Sequence, residues 1–262
     1  MKDLTKLQTD TDIQDKLKEF SKIHFGKETK KILKLIQNGQ IPQSSDFNNV
    51  WTELIPMFSE KQNKRCAICE QEMYTARIKS IEHYRPKNYY WWLAYNPQNY
   101  YLVCTDCNGY KSTNYPLSGK QIEYNTRKKI SIELPLLLNP IFDNPNDYFQ
   151  LVFIIHSSTN KGIAILQSKD NVNHFFKQRA NKTIEIYNLD LHSYRNRTDE
   201  ARFDLLNKYY NDLFEIAKAK KLKSDREFKR TLLQKVKERP ELKTLDLLKL
   251  IIDGDPIIST LA

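Results

Sequence analysis

All four cysteines of this 262-residue chain fall in two Cys-x-x-Cys pairs, Cys66 with Cys69 and Cys104 with Cys107. Such a turn lets two thiolates reach one ion from a tight loop. Two turns complete the four-sulfur tetrahedron that zinc occupies without strain. A closed four-sulfur site has no open position, so it contributes folding stability and not chemistry. A redox dithiol needs one Cys-x-x-Cys beside a βαβ pattern, which makes metal the expectation over redox thiols or plain buried cysteines. The 34 residues between Cys69 and Cys104 exceed a minimal zinc ribbon, so the insert must fold between the knuckles.

The knuckles bracket Glu82-His83, and the second runs directly into Asn108. A neutral imidazole titrates near working pH and can take a proton from water. The carboxylate beside it projects to the other side of an extended segment and suits a hard divalent cation. A cysteine cage would fix the amide oxygen of Asn108. Lys111, three residues further along a helix, would share its face and reach a phosphate. His24, His156, His174 and His192 lack such company and read as ordinary surface or core residues.

Around these residues the pattern is mostly helical. Ile13, Leu17, Phe20 and Ile23 recur on one helical face. A second helix is predicted from Glu28 to Asn38, with Gly39 as its stop. A third begins near Phe47 and uses Val50, Trp51, Leu54 and Phe58, with Pro56 bending or ending it. The segment from Ile81 to Lys87 leans to β. Ile130, Ile132 and Leu134 alternate as in a strand, and Leu151–Ile155 with Gly162–Leu166 reads as a hairpin joined by residues 157–161. Residues 172–220 return to helix, with Asp204, Leu205, Leu206, Tyr209, Leu213 and Ile216 on a long charged one. A last helix spans Leu245 to Ile252, and the apolar tail 257–261 is expected to dock on the body, with a partner surface as the second reading. The run Tyr89-Tyr90-Trp91-Trp92 reads as core before it reads as a base-stacking surface. Lys128-Lys129 and the lysines of 218–223 read as solvated faces.

Composition narrows the classes further. Six glycines form no phosphate-binding or dinucleotide fingerprint, so any ATP chemistry belongs to another chain. The formal net charge of +10 favours polyanionic partners. No apolar run approaches the length of a membrane span, and Met1–Lys6 leads into polar sequence with no signal-like apolar stretch. A cytoplasmic protein is the expectation.

The series Cys-x-x-Cys, Glu82-His83-Tyr84-Arg85-Pro86-Lys87, then Asn99-Tyr100-Tyr101-Leu102-Val103-Cys104-x-x-Cys107-Asn108-x-x-Lys111 resembles the ββα-metal, or HNH, nuclease motif. More narrowly it is similar to the HNH nucleases of retron-associated and Septu-type (PtuB-like) antiphage systems. Pro135–Pro140 and Lys182–Glu185 extend that likeness across roughly residues 60–200. The resemblance implies that His83 is the general base and that Asn99 pins the loop orienting it. Asn108 stands where many members carry a final His. Glu82 replaces the commoner Asp, and Glu82 with Asn108 would hold Mg²⁺ or Mn²⁺. Arg85, Lys87 and Lys111 would contact nucleic acid, with DNA the favoured target and RNA the second. It also implies a companion ATPase of ABC or SMC-like (PtuA-like) type, with a retron in that branch of the family, and no membrane. The expected fold is α+β and predominantly helical. It has a helical segment over 1–60, a zinc-stabilised nuclease core over 61–120, and a β-hairpin with helices over 121–262 packed on that core. The competing function is a zinc-stabilised adaptor that binds nucleic acid or protein without catalysis.

Overall fold

The computed structural model describes residues 1–75, 79–124, 130–155, 162–189, 212, 215–216, 218–220 and 224–238. His156, His192, Lys128, Lys129, the turn at 157–161, the helix at 245–252, the tail at 257–261 and most of 204–216 lie outside them. The chain forms two compact units, Asp3–Asn144 and Pro145–Ala262 with Met1–Lys2. Apart from Met1–Lys2, the expected 1–60 and 61–120 segments fall within the first of these. Roughly half of the described residues are helical, and two small two-stranded sheets complete a mixed α/β architecture. No helix among the described residues is long and apolar enough to cross a membrane.

In the first unit, α1 (Thr11–Phe20) is capped by Asp10, whose carboxylate accepts from the Ile13 amide at 3.1 Å. Ile13, Leu17 and Phe20 are buried as the periodicity predicts. Ile23 is not, at 54% exposed. A π-helical turn, Ser21–Phe25, follows α1, and its wider pitch rotates Ile23 off the apolar stripe. Helix α2 (Gly26–Gln37) then continues to Gly39, which takes the positive φ of 73° that a helix stop requires. The third predicted helix divides into a 3₁₀ turn, Val50–Leu54, and α3 (Ile55–Lys61). Pro56 opens α3 instead of bending or ending it, because a first-turn residue has no helical partner for its missing N–H.

Strands β1 (Lys79–His83) and β2 (Tyr100–Cys104) pair antiparallel, with Lys79 opposite Cys104 and His83 opposite Tyr100. Helix α4 (Thr105–Lys111) follows β2 without a break. Every residue of β2 is buried. Gln62, itself fully buried, donates to the carbonyls of Arg65 and Leu102 at 2.9 Å and accepts from the Leu102 amide at 3.0 Å. It thereby joins the end of α3 to the centre of β2.

The alternation at Ile130–Leu134 does not make a strand. Residues Ile130–Glu133 form a 3₁₀ turn in which Ile130 and Ile132 are exposed and Glu133 is fully buried. The Glu133 carboxylate accepts from Arg85 Nε at 2.9 Å, Tyr90 OH at 2.7 Å and the Ile122 amide at 3.2 Å. Those three charge-assisted bonds outweigh burial of the flanking aliphatics.

In the second unit, β3 (Phe149–Ile155) and β4 (Gly162–Ser168) form the expected antiparallel pair. Helix α5 (His174–Ile186) starts at Asn173, whose side chain accepts from the Phe176 amide at 2.9 Å. Phe176 stacks on Tyr148 at 4.7 Å. Helix α6 (Asp225–Glu238) buries Phe228, Leu232 and Val236, one residue per turn.

Gln62→Leu is expected to destabilise the first unit by about 2–3 kcal/mol, since it strands the buried Leu102 amide and Arg65 carbonyl. Urea unfolding followed by tryptophan fluorescence measures this. A loss near zero would show that these groups find other partners.

Candidate active site and metal centre

The four cysteine sulfurs come together. All are buried, and the Sγ atoms lie within 4.8 Å of one another. Cys69 and Cys104 Sγ are 3.8 Å apart. Zn–S bonds of about 2.3 Å in a tetrahedron set sulfurs about 3.8 Å apart, so the cluster has the span that a zinc ion needs. Backbone amides already face the sulfurs: Ile68 N–H donates to Cys66 Sγ at 3.4 Å and Cys107 N–H to Cys104 Sγ at 3.5 Å. Burial among the other thiols pushes the Cys107 thiol well above its ordinary value. A bound cation reverses that preference by stabilising thiolates. The cluster could therefore hold a structural zinc ion, and its donors fit no hard cation.

The same cluster locates the second set of residues. Cys104 ends β2 and caps α4, so an ion held there fixes the helix carrying Asn108 and Lys111. On β1, successive side chains face opposite ways. Ser80 and Glu82 face α4: Asn108 Nδ2 donates to Ser80 Oγ at 2.9 Å, and Lys111 Nζ donates to Glu82 Oε1 at 2.8 Å. His83 faces the other side, against Trp51 and Tyr100, with ring centroids 4.6 and 4.9 Å away. Glu82, His83 and Asn108 nevertheless line one cavity of about 550 Å³, together with Lys87, Trp51 and Ser112.

His83 is held in a defined state. Its Nε2 sits 2.9 Å from the Ala94 carbonyl, which only accepts. Nε2 therefore carries the proton and Nδ1 keeps a free lone pair. Tyr100 OH donates to the same carbonyl. Burial drives the His83 pKa down to about 3, with Lys87 and Lys111 adding to the shift and the Ala94 contact opposing it. The ring is neutral at working pH. Burial pushes the Glu82 carboxyl up, and the Lys111 ammonium pulls it the other way. Glu82 Oε2 is buried and has no hydrogen-bond partner among the described residues. That orphaned oxygen, on a residue that lines the same cavity as Asn108, is a donor of the kind a hard cation takes while keeping most of its waters.

Asn99 pins the loop after β1. Its Oδ1 accepts from the Arg85 amide at 2.8 Å, and its Nδ2 donates to the Arg85 carbonyl at 2.9 Å. Tyr84 OH donates to the Leu137 carbonyl at 2.7 Å, which brings the Pro135–Pro140 segment against the same loop.

Two residues expected to reach phosphate are turned inward. Arg85 pairs with buried Glu133 at 2.9 Å. Lys111 is fully buried and donates to both Glu82 Oε1 and the His83 carbonyl at 2.8 Å. A carboxylate without water demands a counter-charge, and these cations supply it. Lys87 remains at the cavity, with Nζ 4.9 Å above the Trp51 ring and 5.2 Å above that of Phe47. Sequence reasoning missed Trp51, Ser80, Ser112 and Glu133. Ser80 was accessible, since strand alternation puts it on the face of Glu82. Trp51 and Glu133 are remote in sequence and carry no local signal. Ser112 ends α4 at a positive φ of 46°, which favours glycine.

Fold and site together define a mixed α/β protein with a small two-stranded sheet, an adjoining helix and a buried four-cysteine cluster that could bind zinc. The chain is similar to two proteins of Bacillus mycoides (strain KBAB4). It is 26% identical to Septu protein PtuB over 141 residues, which cover 48% of this chain and 43% of that protein. It is 27% identical to Septu protein PtuA over 139 residues, which cover 42% of this chain and 20% of that protein. The similarity supports a relation to the Septu proteins, although the chain spans less than half the length of either relative. No protein-family model matches the chain, and no solved structure does.

Elemental analysis of the purified chain is expected to find one zinc per molecule. Cys104→Ser should lose it and unfold the first unit; zinc retained at full stoichiometry would exclude this cage. His83 gives a pH prediction with a defined sign. Unfolded, it titrates near 6.5; folded, near 3. Below 6.5 the unfolded chain takes a proton that the folded chain refuses, so stability falls as pH drops from 6.5 towards 3. The slope is at most about 1.4 kcal/mol per pH unit. Raised Glu82 opposes part of it, so His83→Gln against the parent chain isolates the histidine's share and should flatten the profile.

Proposed function

We propose that this protein is a metal-dependent HNH endonuclease that hydrolyses phosphodiester bonds, DNA before RNA, as the effector of an antiphage defence system. The observation that carries the reading is the shared cavity of Glu82, His83 and Asn108 on a strand–strand–helix unit whose β2–α4 junction carries Cys104 and Cys107 of the cysteine cluster. Nδ1 of His83 takes a proton from water, whose oxygen attacks phosphorus in line while the 3′ oxygen departs. The Ala94 carbonyl keeps the proton on Nε2, so the base works in one tautomer. Burial lowers the His83 pKa to about 3 and makes the ring a weak base alone. An incoming phosphodiester anion raises it, because a nearby negative charge favours imidazolium. Asn99 keeps the loop from letting the ring swing. Lys87 offers positive charge to the strand at the cavity mouth. Glu82 Oε2 and the Asn108 amide oxygen would hold Mg²⁺ or Mn²⁺, which supplies charge neutralisation of the phosphate and of the leaving oxygen.

Similarity to the Septu proteins supports the defence role and a PtuA-like ATPase companion. The glycine-poor sequence, without a phosphate-binding loop, fits nucleotide binding by that companion.

The test is incubation with plasmid, linear DNA and total RNA plus Mg²⁺ or Mn²⁺, with and without the neighbouring ATPase. His83→Ala is expected to slow cleavage by about 10²–10⁴-fold, and Asn99→Ala to slow it by a smaller factor. Equal cutting by the His83→Ala chain, with contamination excluded, would overturn the mechanism. Binding of nucleic acid with no cutting and no response to added cation would favour the adaptor instead.

A further inference from the structure

Lys111 invites a closer look because its cation sits where a metal site would want none. Its side chain is fully buried, and Nζ donates to Glu82 Oε1 and to the His83 carbonyl, both at 2.8 Å. One ammonium thus holds the carboxylate and the backbone of the adjacent histidine. Glu82 itself is 3% exposed, and its second oxygen, Oε2, is buried without a hydrogen-bond partner among the described residues. Glu82, His83 and Asn108 still line the cavity. The arrangement leaves one carboxylate oxygen and one neutral amide for a cation.

Charge bookkeeping then sets the affinity. The Glu82 carboxylate and the Lys111 ammonium cancel, so the pair presents no net negative charge to a dication. Magnesium and manganese dehydrate reluctantly and rely on one or two carboxylates together with substrate phosphates. Asn108 adds a dipole and no charge. The nearby Lys87 adds repulsion. The missing negative charge must come from the phosphodiester.

We propose that Lys111 is a positioning residue that occupies one oxygen of Glu82 and leaves the site electrically neutral, so that a divalent cation settles there only together with a substrate phosphate. The inference rests on the nuclease reading and adds an order of assembly to it. The neutral site has no electrostatic pull on free cation, and the chain stays inert until nucleic acid supplies the ligand.

Mn²⁺ binding followed by electron paramagnetic resonance tests this on the 262-residue chain loaded with zinc. His83→Ala serves as the parent, to prevent turnover, and a short DNA or RNA strand serves as the probe, against strand-only controls. The parent is expected to bind Mn²⁺ at least tenfold more tightly with one of the strands than without either. Lys111→Met, which keeps length and removes charge, should tighten strand-free binding at least tenfold. Lys111→Arg, which keeps the charge, should not. Equal Mn²⁺ affinity with and without strand overturns the proposal, as does an unchanged strand-free affinity in a Lys111→Met chain that retains zinc. If Lys111→Met fails to fold, the comparison with and without strand decides alone. Cleavage by the wild-type chain, measured in parallel, separates the two readings. Cutting together with tight strand-free binding overturns only the order of assembly. No cutting and no bound Mn²⁺ in any mixture overturns the nuclease reading as well.

Discussion

Four buried sulfurs gathered within 4.8 Å are a poorly solvated arrangement on their own, and a soft cation would turn it into a strong tie within the first unit. The tie acts across a long insert. It joins the Cys66–Cys69 turn, next to α3, to the point where β2 becomes α4. Because α4 has only seven residues, fixing its first turn fixes its last. An ion held there would therefore place Asn108 and Lys111 without touching them.

The other side of the site depends on the loop from β1 to β2. Nothing regular spans most of it, so side chains hold it. Asn99 grips the Arg85 backbone at both its amide and its carbonyl. Glu133 holds the Arg85 guanidinium and the Tyr90 hydroxyl from a distant segment. Ala94, within the same loop, reaches back to the His83 ring. A loop fastened at so many points can present the His83 imidazole in one orientation and one tautomer.

Strand β1 separates two environments. Towards α4 lies a buried carboxylate with its counter-ion; towards Trp51 and Tyr100 lies a neutral imidazole in an aromatic pocket. The alternation of a β-strand lets adjacent residues occupy such different surroundings and still line one cavity. Desolvation leads on both walls: it raises Glu82 against the pull of the Lys111 ammonium and lowers His83.

Local spacing alone carried the cysteine pairing, the extended Glu82-His83 segment, the buried face of α1, the Gly39 stop and the strands of the β3–β4 hairpin. These depend on residues a few positions apart, where helical and strand periodicity or a tight turn decides the outcome. Ile23 departed from its stripe because a π-helical turn shifts phase without a compositional mark. Ile130–Leu134 reversed its inward face because Glu133 meets Arg85, a residue 48 positions away. Lys111 and Arg85 read as phosphate contacts until the fold surrounded each with a buried carboxylate. The chain's linear pattern determines which groups can meet an ion or a proton. Only the tertiary structure decides which charges lose their water, and a charge without water is bound to whatever opposite charge the fold brings to it.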